Sequence, residues 1–244
     1  MTTTMLLLVL LPAQLPTAAI DALTHLSESR VEALLWDWQK ATQEIRSAHY
    51  LIDWTHEDRI LKDKEVFQIE GFIKRSKLAR IDFKENSGKR TQIFLLNDRI
   101  LETYNFVSQD KLTWEIPLGF PEKYLEGCWW EVFFAGIFQR ARELFCFEFP
   151  IVEIQKEFDF SLRKEDKYWA YIQLIPKTKQ RQLMLRKMEV VLDQKTHLVR
   201  QYRILDANWN LDIYDFAKIE INPTPAITLE SISEDLPASF KNFR

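Results

Sequence analysis

Glycine is scarce, at five residues in 244, and none of the five is clustered. That argues against a phosphate-cradling loop, which needs glycine where backbone must approach the anion. Only two cysteines occur, Cys128 and Cys146, and they form no C-x-x-C pair. They flank the aromatic stretch "WWEVFFAGIFQRARELF". As one helix, that stretch would hold them roughly 27 Å apart, far beyond the ~7 Å Cα separation a disulfide tolerates. Both therefore read as buried thiols, unless the helix is broken. The four histidines, His25, His49, His56 and His197, make no metal-ligand spacing. His49 and His56 are seven apart, so on one strand they point to opposite faces. No G-x-S-x-G motif is present. The acidic runs "HED", "KED" and "SEDLP" sit at turns and read as solvated. A net charge of −3 gives no reason to expect a nucleic-acid partner. The expectation is a protein that is not an enzyme and holds no metal or cofactor.

Apolar residues, in contrast, are plentiful. At 46% hydrophobic and 28% charged, the chain is neither disordered nor insoluble. Seventeen Phe and eight Trp suit a large core or a lined cavity, and composition leaves both open. At the N-terminus, "MLLLVLLPAQLPTAA" (Met5 to Ala19) has a short apolar run, then Thr17 and Ala19 at the −3 and −1 positions of a possible cleavage site. The run is shorter than the ~20 apolar residues of a membrane span. No Lys or Arg precedes it, which is atypical for an export signal. Residues 1–19 are read as a signal peptide and 20–244 as a single domain.

Periodicity divides the rest. In "SESRVEALLWDWQKATQEIRS", Val31, Leu34, Leu35, Trp38, Ala41 and Ile45 form one apolar helical stripe, with Ser27 or Ser29 as cap. From Ala48 the period becomes two. Tyr50, Ile52 and Trp54 share a side, as do Phe67, Ile69 and Ile73, with Gly71 suggesting a bend or bulge. No helix-length segment separates the strands that follow, so they should be antiparallel neighbours. Expected strands are Val66–Lys74, Leu78–Phe83, Gln92–Leu96, Tyr168–Ile175, Met188–Leu192, Leu198–Leu205 and Leu211–Ile221. The last two flank the turn "DANWN", and both faces of that hairpin carry apolar side chains.

An aromatic segment from Pro121 to about Phe158 interrupts the strands and suits one or two short helices broken at Pro150. Trp129, Trp130, Phe133, Phe134 and Phe138 would form either a lid facing the sheet or an ordinary core helix. The fold class is α+β, mainly β: a strongly curved antiparallel sheet, an incomplete barrel, with an N-terminal helix and a helical insert on its concave side. Trp38 and Leu34 should dock the helix there. Arg75 shares parity with Ile73, so an unbent strand aims it at the apolar face. A bulge at Gly71, or snorkelling to water, would aim it elsewhere.

The series "GFIKRSKLARIDF", "FLLNDRILETYNF" and "LTWEIPL", an insert, then "FSLRKEDKYWAYIQLIPK" and "KMEVVLDQKTHLVRQYRILDANWNLDIYDFAKIEIN" resembles the outer-membrane lipoprotein carriers and sorting proteins of the LolA/LolB-like superfamily. Asp193, Thr196, Asp206, Asn210 and Asn222 occupy that family's turn and strand-end places, over roughly Ile20 to Asn222. Trp209 stands where glycine is usual. The resemblance implies a periplasmic, monomeric carrier that shelters lipid or lipoprotein acyl chains under a helical lid. Trp38, Trp54, Phe67, Ile69, Ile73 and the insert aromatics would line the cavity or lid, and Arg75 would hold the lid shut. A membrane-bound donor or acceptor protein would be its further partner. The alternative on the same fold is an envelope sensor or assembly module that binds a protein.

Overall fold

The computed structural model describes residues 17–74, 78–115 and 151–243. Residues 1–16, Arg75, and the insert residues Trp129, Trp130, Phe133, Phe134 and Phe138 lie outside the described residues, as do both cysteines.

A long helix, α1 (Thr17–Gln43), leads into six strands: β1 (Ser47–Asp58), β2 (Asp63–Lys74), β3 (Leu78–Glu85), β4 (Arg90–Asn97), β5 (Ile100–Asn105) and β6 (Asp110–Glu115). After the insert come α2 (Ile151–Glu157), β7 (Phe158–Glu165), β8 (Trp169–Pro176), a single turn α3 (Lys179–Gln182), β9 (Leu185–Asp193), β10 (Val199–Asp206) and β11 (Leu211–Ile221). A tail adds α4 (Leu229–Ser233) and β12 (Lys241–Phe243). The strands make one sheet in the order β12-β6-β5-β4-β3-β2-β1-β11-β10-β9-β8-β7. Every pairing from β6 to β7 is antiparallel, and only the three-residue β12 runs parallel to its neighbour. The sheet curves without closing, so the expected mainly β, incomplete-barrel architecture with its N-terminal helix is the one found.

Cross-strand register assigns the faces, because paired residues point the same way. On the concave face, Ile73, Ile69 and Phe67 of β2 pair with Ala48, Ile52 and Trp54 of β1. Across the next seam, Trp54 faces Tyr214 and Ile52 faces Phe216 of β11. Val31, Leu34, Leu35 and Trp38 of α1 join these strands in one buried cluster reaching from Leu101 in β5 to Phe158 in β7. The helix thus docks as its stripe requires, although it ends at Gln43 and Ile45 is buried just beyond it.

The convex face has its own core. Ile93, Leu95 and Tyr104 pack under Ile227 and Ile232 of the tail, with Leu229, Leu236 and Phe240 around them. Charges bind the tail as well. Buried Arg80 donates to Asp82 at 2.6 Å, to the carbonyl of Ile232 at 2.7 Å and to Asp235, while Arg90 bridges Asp82 and Asp235 at 2.8 Å each. "SEDLP" is a solvated turn as expected, and its half-exposed Asp235 also closes an ion network onto buried Arg80 and Asp82. Two apolar faces need two covers, and β2 to β5 have α1's cluster on one side and the tail on the other.

Gly71 marks no bulge. β2 pairs in unbroken register with both β1 and β3. A Cβ there would lie 2.0 Å from Tyr50 Cζ, so glycine is present because the tyrosine ring crosses it. Real shifts occur at Leu51/Ile52 and at Val199/Gln201. The second turns Val199 into the concave cluster with Tyr202 and Ile204, which simple alternation would have kept apart. The outer side of that hairpin is mostly polar, with Gln201 donating to Asp215 at 3.1 Å and Arg203 near Glu189.

The family-like turn residues do set turns. Asp193 Oδ1 accepts from the backbones of Lys195 and Thr196, and Asp206 Oδ1 accepts from that of Asn210 at 2.7 Å. Asn222 Oδ1 accepts from the backbones of Arg46 and Ser47, joining the end of β11 to the start of β1. Trp209 adopts φ 71°, the left-handed geometry that glycine would supply freely.

Candidate functional site

The candidate site is the concave face, built from alternate residues of β1, β2, β10 and β11. Trp54 stacks on Phe67 with ring centroids 4.9 Å apart and on Tyr214 at 5.7 Å, nearly parallel. Tyr202 meets Phe216 edge-on at 5.8 Å and lies 6.5 Å from Trp38 of α1. Burial raises the phenols of Tyr50 and Tyr202 above their ordinary range, so both remain neutral hydroxyls. The wall is therefore aromatic and uncharged over these positions.

A buried carboxylate borders it. Asp212, 6% exposed, pairs across the seam with His56. Its Oδ1 accepts from Trp54 Nε1 at 3.1 Å and lies 2.7 Å from His56 Nδ1. An ionised carboxylate only accepts, so in that state Nδ1 carries the proton and the imidazole is fixed in orientation. Parity had separated His56 from His49 correctly. His49 is on the convex side, stacked on Phe72 at 4.4 Å and between Glu70 and Glu220. The pairing of His56 with Asp212 was missed, because 156 residues separate them and only the β1–β11 register joins them.

A groove of about 360 Å³ opens at the other side of the face, between α1, α2 and the start of β7. Val31, Leu35, Phe158 and Phe160 supply its apolar wall, and Glu32 and Lys177 its polar rim. Lys177 pairs with Asp159 at 3.3 Å and donates to the carbonyl of Gln155 at 2.7 Å. Beyond the groove, Arg30 of α1 donates to Glu165 at 3.1 Å and 3.2 Å, which holds that carboxyl below its usual range.

The structure brings Trp38, Trp54, Phe67, Ile69 and Ile73 to one face. Trp38, Ile69 and Ile73 are inside the packed cluster, at 4% exposure or less, whereas Trp54 and Phe67 are only partly buried. Among the described residues, no group of three or more His, Cys, Asp or Glu is placed to hold a metal ion. No described helix is long and apolar enough to cross a membrane.

No protein-family model matches the chain, and no curated protein does. Solved structures do. An uncharacterized conserved protein from Thermus thermophilus matches with a TM-score of 0.51 at 10% identity, over 87% of this chain and 98% of that one. That likeness shows a shared fold. The chain is also similar to a LolA superfamily protein from Nitrosomonas europaea, at TM-score 0.37 and 11% identity, over 80% and 94% of the two chains. The Mycobacterium tuberculosis lipoprotein LppX aligns at TM-score 0.41 and 12% identity, over 80% and 99%.

Proposed function

We propose that this chain is a carrier for lipid or lipoprotein acyl chains, working in the periplasm with its concave face as the ligand-facing wall. The observation that carries the reading is the aromatic stack of Trp54, Phe67 and Tyr214. It is continuous with the apolar core and is bordered by the Asp212–His56 pair. An acyl chain needs no reactive group to bind. Each buried methylene contributes about 0.8 kcal/mol, so about sixteen carbons would gain roughly 12 kcal/mol gross. The polar pair beside the stack suits the head group of an amphipathic ligand, while the aromatic rings suit its chain.

A second reading is supported by the packing of Trp38, Ile52, Ile69 and Ile73, which are nearly inaccessible. Under it, the chain fills its own concavity and serves as an envelope module that binds a protein partner.

Mass spectrometry of organic extracts from the purified protein, with titration by a fluorescent acyl probe, separates the two. The carrier reading expects co-purifying lipid and saturable probe binding that Trp54→Ala and Phe67→Ala weaken together. Extracts free of lipid, with no saturable binding, would leave the module reading. Fractionation of the expressing cells tests the compartment.

A further inference from the structure

Strand register sorts charge between the two faces of the sheet, as it sorts apolar side chains. Every Lys and Arg on β1 to β6 and β11 stands at a convex position: Lys64, Lys74, Arg80, Lys84, Arg90, Lys111 and Lys218. Lys74 pairs with Leu78 and Lys111 with Tyr104, both part of the core under the tail. Carboxylates are not sorted in this way. Glu65 pairs with His56, and Glu85 with Phe67, so both stand on the concave face with Asp212 beside the Trp54 stack. Burial alone does not account for the sorting. The less buried ends of the concave face admit charge, and they carry Glu65, Glu85 and Asp110 but no base.

His56 stands among these carboxylates with its ring fixed. Its Nδ1 lies 2.7 Å from Asp212, and its Nε2 has no hydrogen-bond partner among the described residues. In a neutral imidazole held like this the lone pair is on Nε2, which accepts. A protonated ring would have its charge balanced by Asp212 already. The side chain is 28% exposed, so the ring is reachable from the open end of the wall. A carboxylate or phosphate head group placed here would lose water, meet three carboxylates and find no Lys or Arg. A hydroxyl, an amide N–H or an ammonium would instead donate to Nε2, and the carboxylates would accept its remaining protons.

We propose that the concave wall selects amphiphiles whose head group donates hydrogen bonds and bears no negative charge. His56 Nε2 is the acceptor, and Glu65 and Glu85 reject anions. This rests on the carrier reading and adds to it the class of ligand.

Titration calorimetry of the full chain at neutral pH tests this, with ligands that share one lauryl chain. Monolauroylglycerol and dodecylammonium should each bind at least about tenfold more tightly than laurate. Glu65→Gln with Glu85→Gln should narrow the gap between laurate and monolauroylglycerol by about threefold. His56→Phe should weaken monolauroylglycerol by about fivefold. The comparison of ligands on the parent chain stands even where that variant fails to fold. Laurate binding as tightly as the other two, or an unchanged gap in the glutamine variant, overturns the proposal. Preference for the ammonium alone overturns the part given to His56. A parent chain that binds none of the three removes the carrier reading itself, and the selectivity with it.

Discussion

The ring of Tyr50 on β1 lies across the backbone of Gly71 on β2, closely enough that an added Cβ would meet it at 2.0 Å. Gly71→Ala must therefore displace a ring that is itself 7% exposed in the core. Overpacking of this kind costs about 1–3 kcal/mol. In urea unfolding, the Gly71→Ala penalty should largely disappear on a Tyr50→Ala background. Equal penalties on both backgrounds would show that the ring is not the cause.

Asp212 satisfies two donors from one buried oxygen. Asp212→Ala would leave the Trp54 indole without that partner, at a cost of about 1–3 kcal/mol. Asp212→Asn keeps an acceptor and should cost less. Chemical denaturation of both variants checks the ranking, and an alanine variant as stable as the parent would contradict the assignment.

The tail should respond to acid before the sheet does. Hydrogen bonding to Arg80, opposed by burial and aided by Arg90, lowers Asp235 from an ordinary 3.8 to about 2. A carboxyl depressed in the folded state adds stability above its unfolded pKa and loses it as pH falls through the folded one. The window here is from about 4 down to about 2. Hydrogen exchange around Ile232 and Leu236 should accelerate across it while the β1–β11 seam stays protected. Asp235→Asn should remove that dependence. A parent tail whose exchange is flat across the window would refute it.

At Trp209 a side chain occupies φ 71° and is compensated by Arg186 at 3.8 Å. Trp209→Ala loses the contact and keeps the left-handed backbone, whereas Trp209→Gly loses the contact and relieves the backbone. The glycine variant should be the more stable of the two by about 1 kcal/mol, measured by thermal or urea melts.

Period-two patterning made most of the sheet legible, because a strand between two covered faces still alternates in what it meets. Ile69 and Ile73 declared their face this way, and Trp38 and Leu34 declared the helix's. Patterning fails where one extra residue enters a strand, as at Val199/Gln201, or where glycine makes room for a neighbour's ring, as at Gly71. Partners across distant strands were hidden too. Asp212 had no local mark of chemistry until register put it beside His56. The tail's role was visible in principle, since Ile227, Leu229, Ile232, Leu236 and Phe240 recur through a stretch otherwise rich in turn residues.

The placement of β1 beside β11 also governs the order of assembly. Strands β1 to β6 and β7 to β11 pair with near neighbours in the chain, while the seam between the two sets, β1 against β11, joins residues such as Ala48 and Ile221. Two local meanders can form early, but the sheet becomes continuous only when the far end of the chain is available. Loop closure of this length is slow and leaves strand edges open meanwhile. Pulse-labelling hydrogen exchange should find the amides bonded across the β1–β11 seam the last in the sheet to be protected.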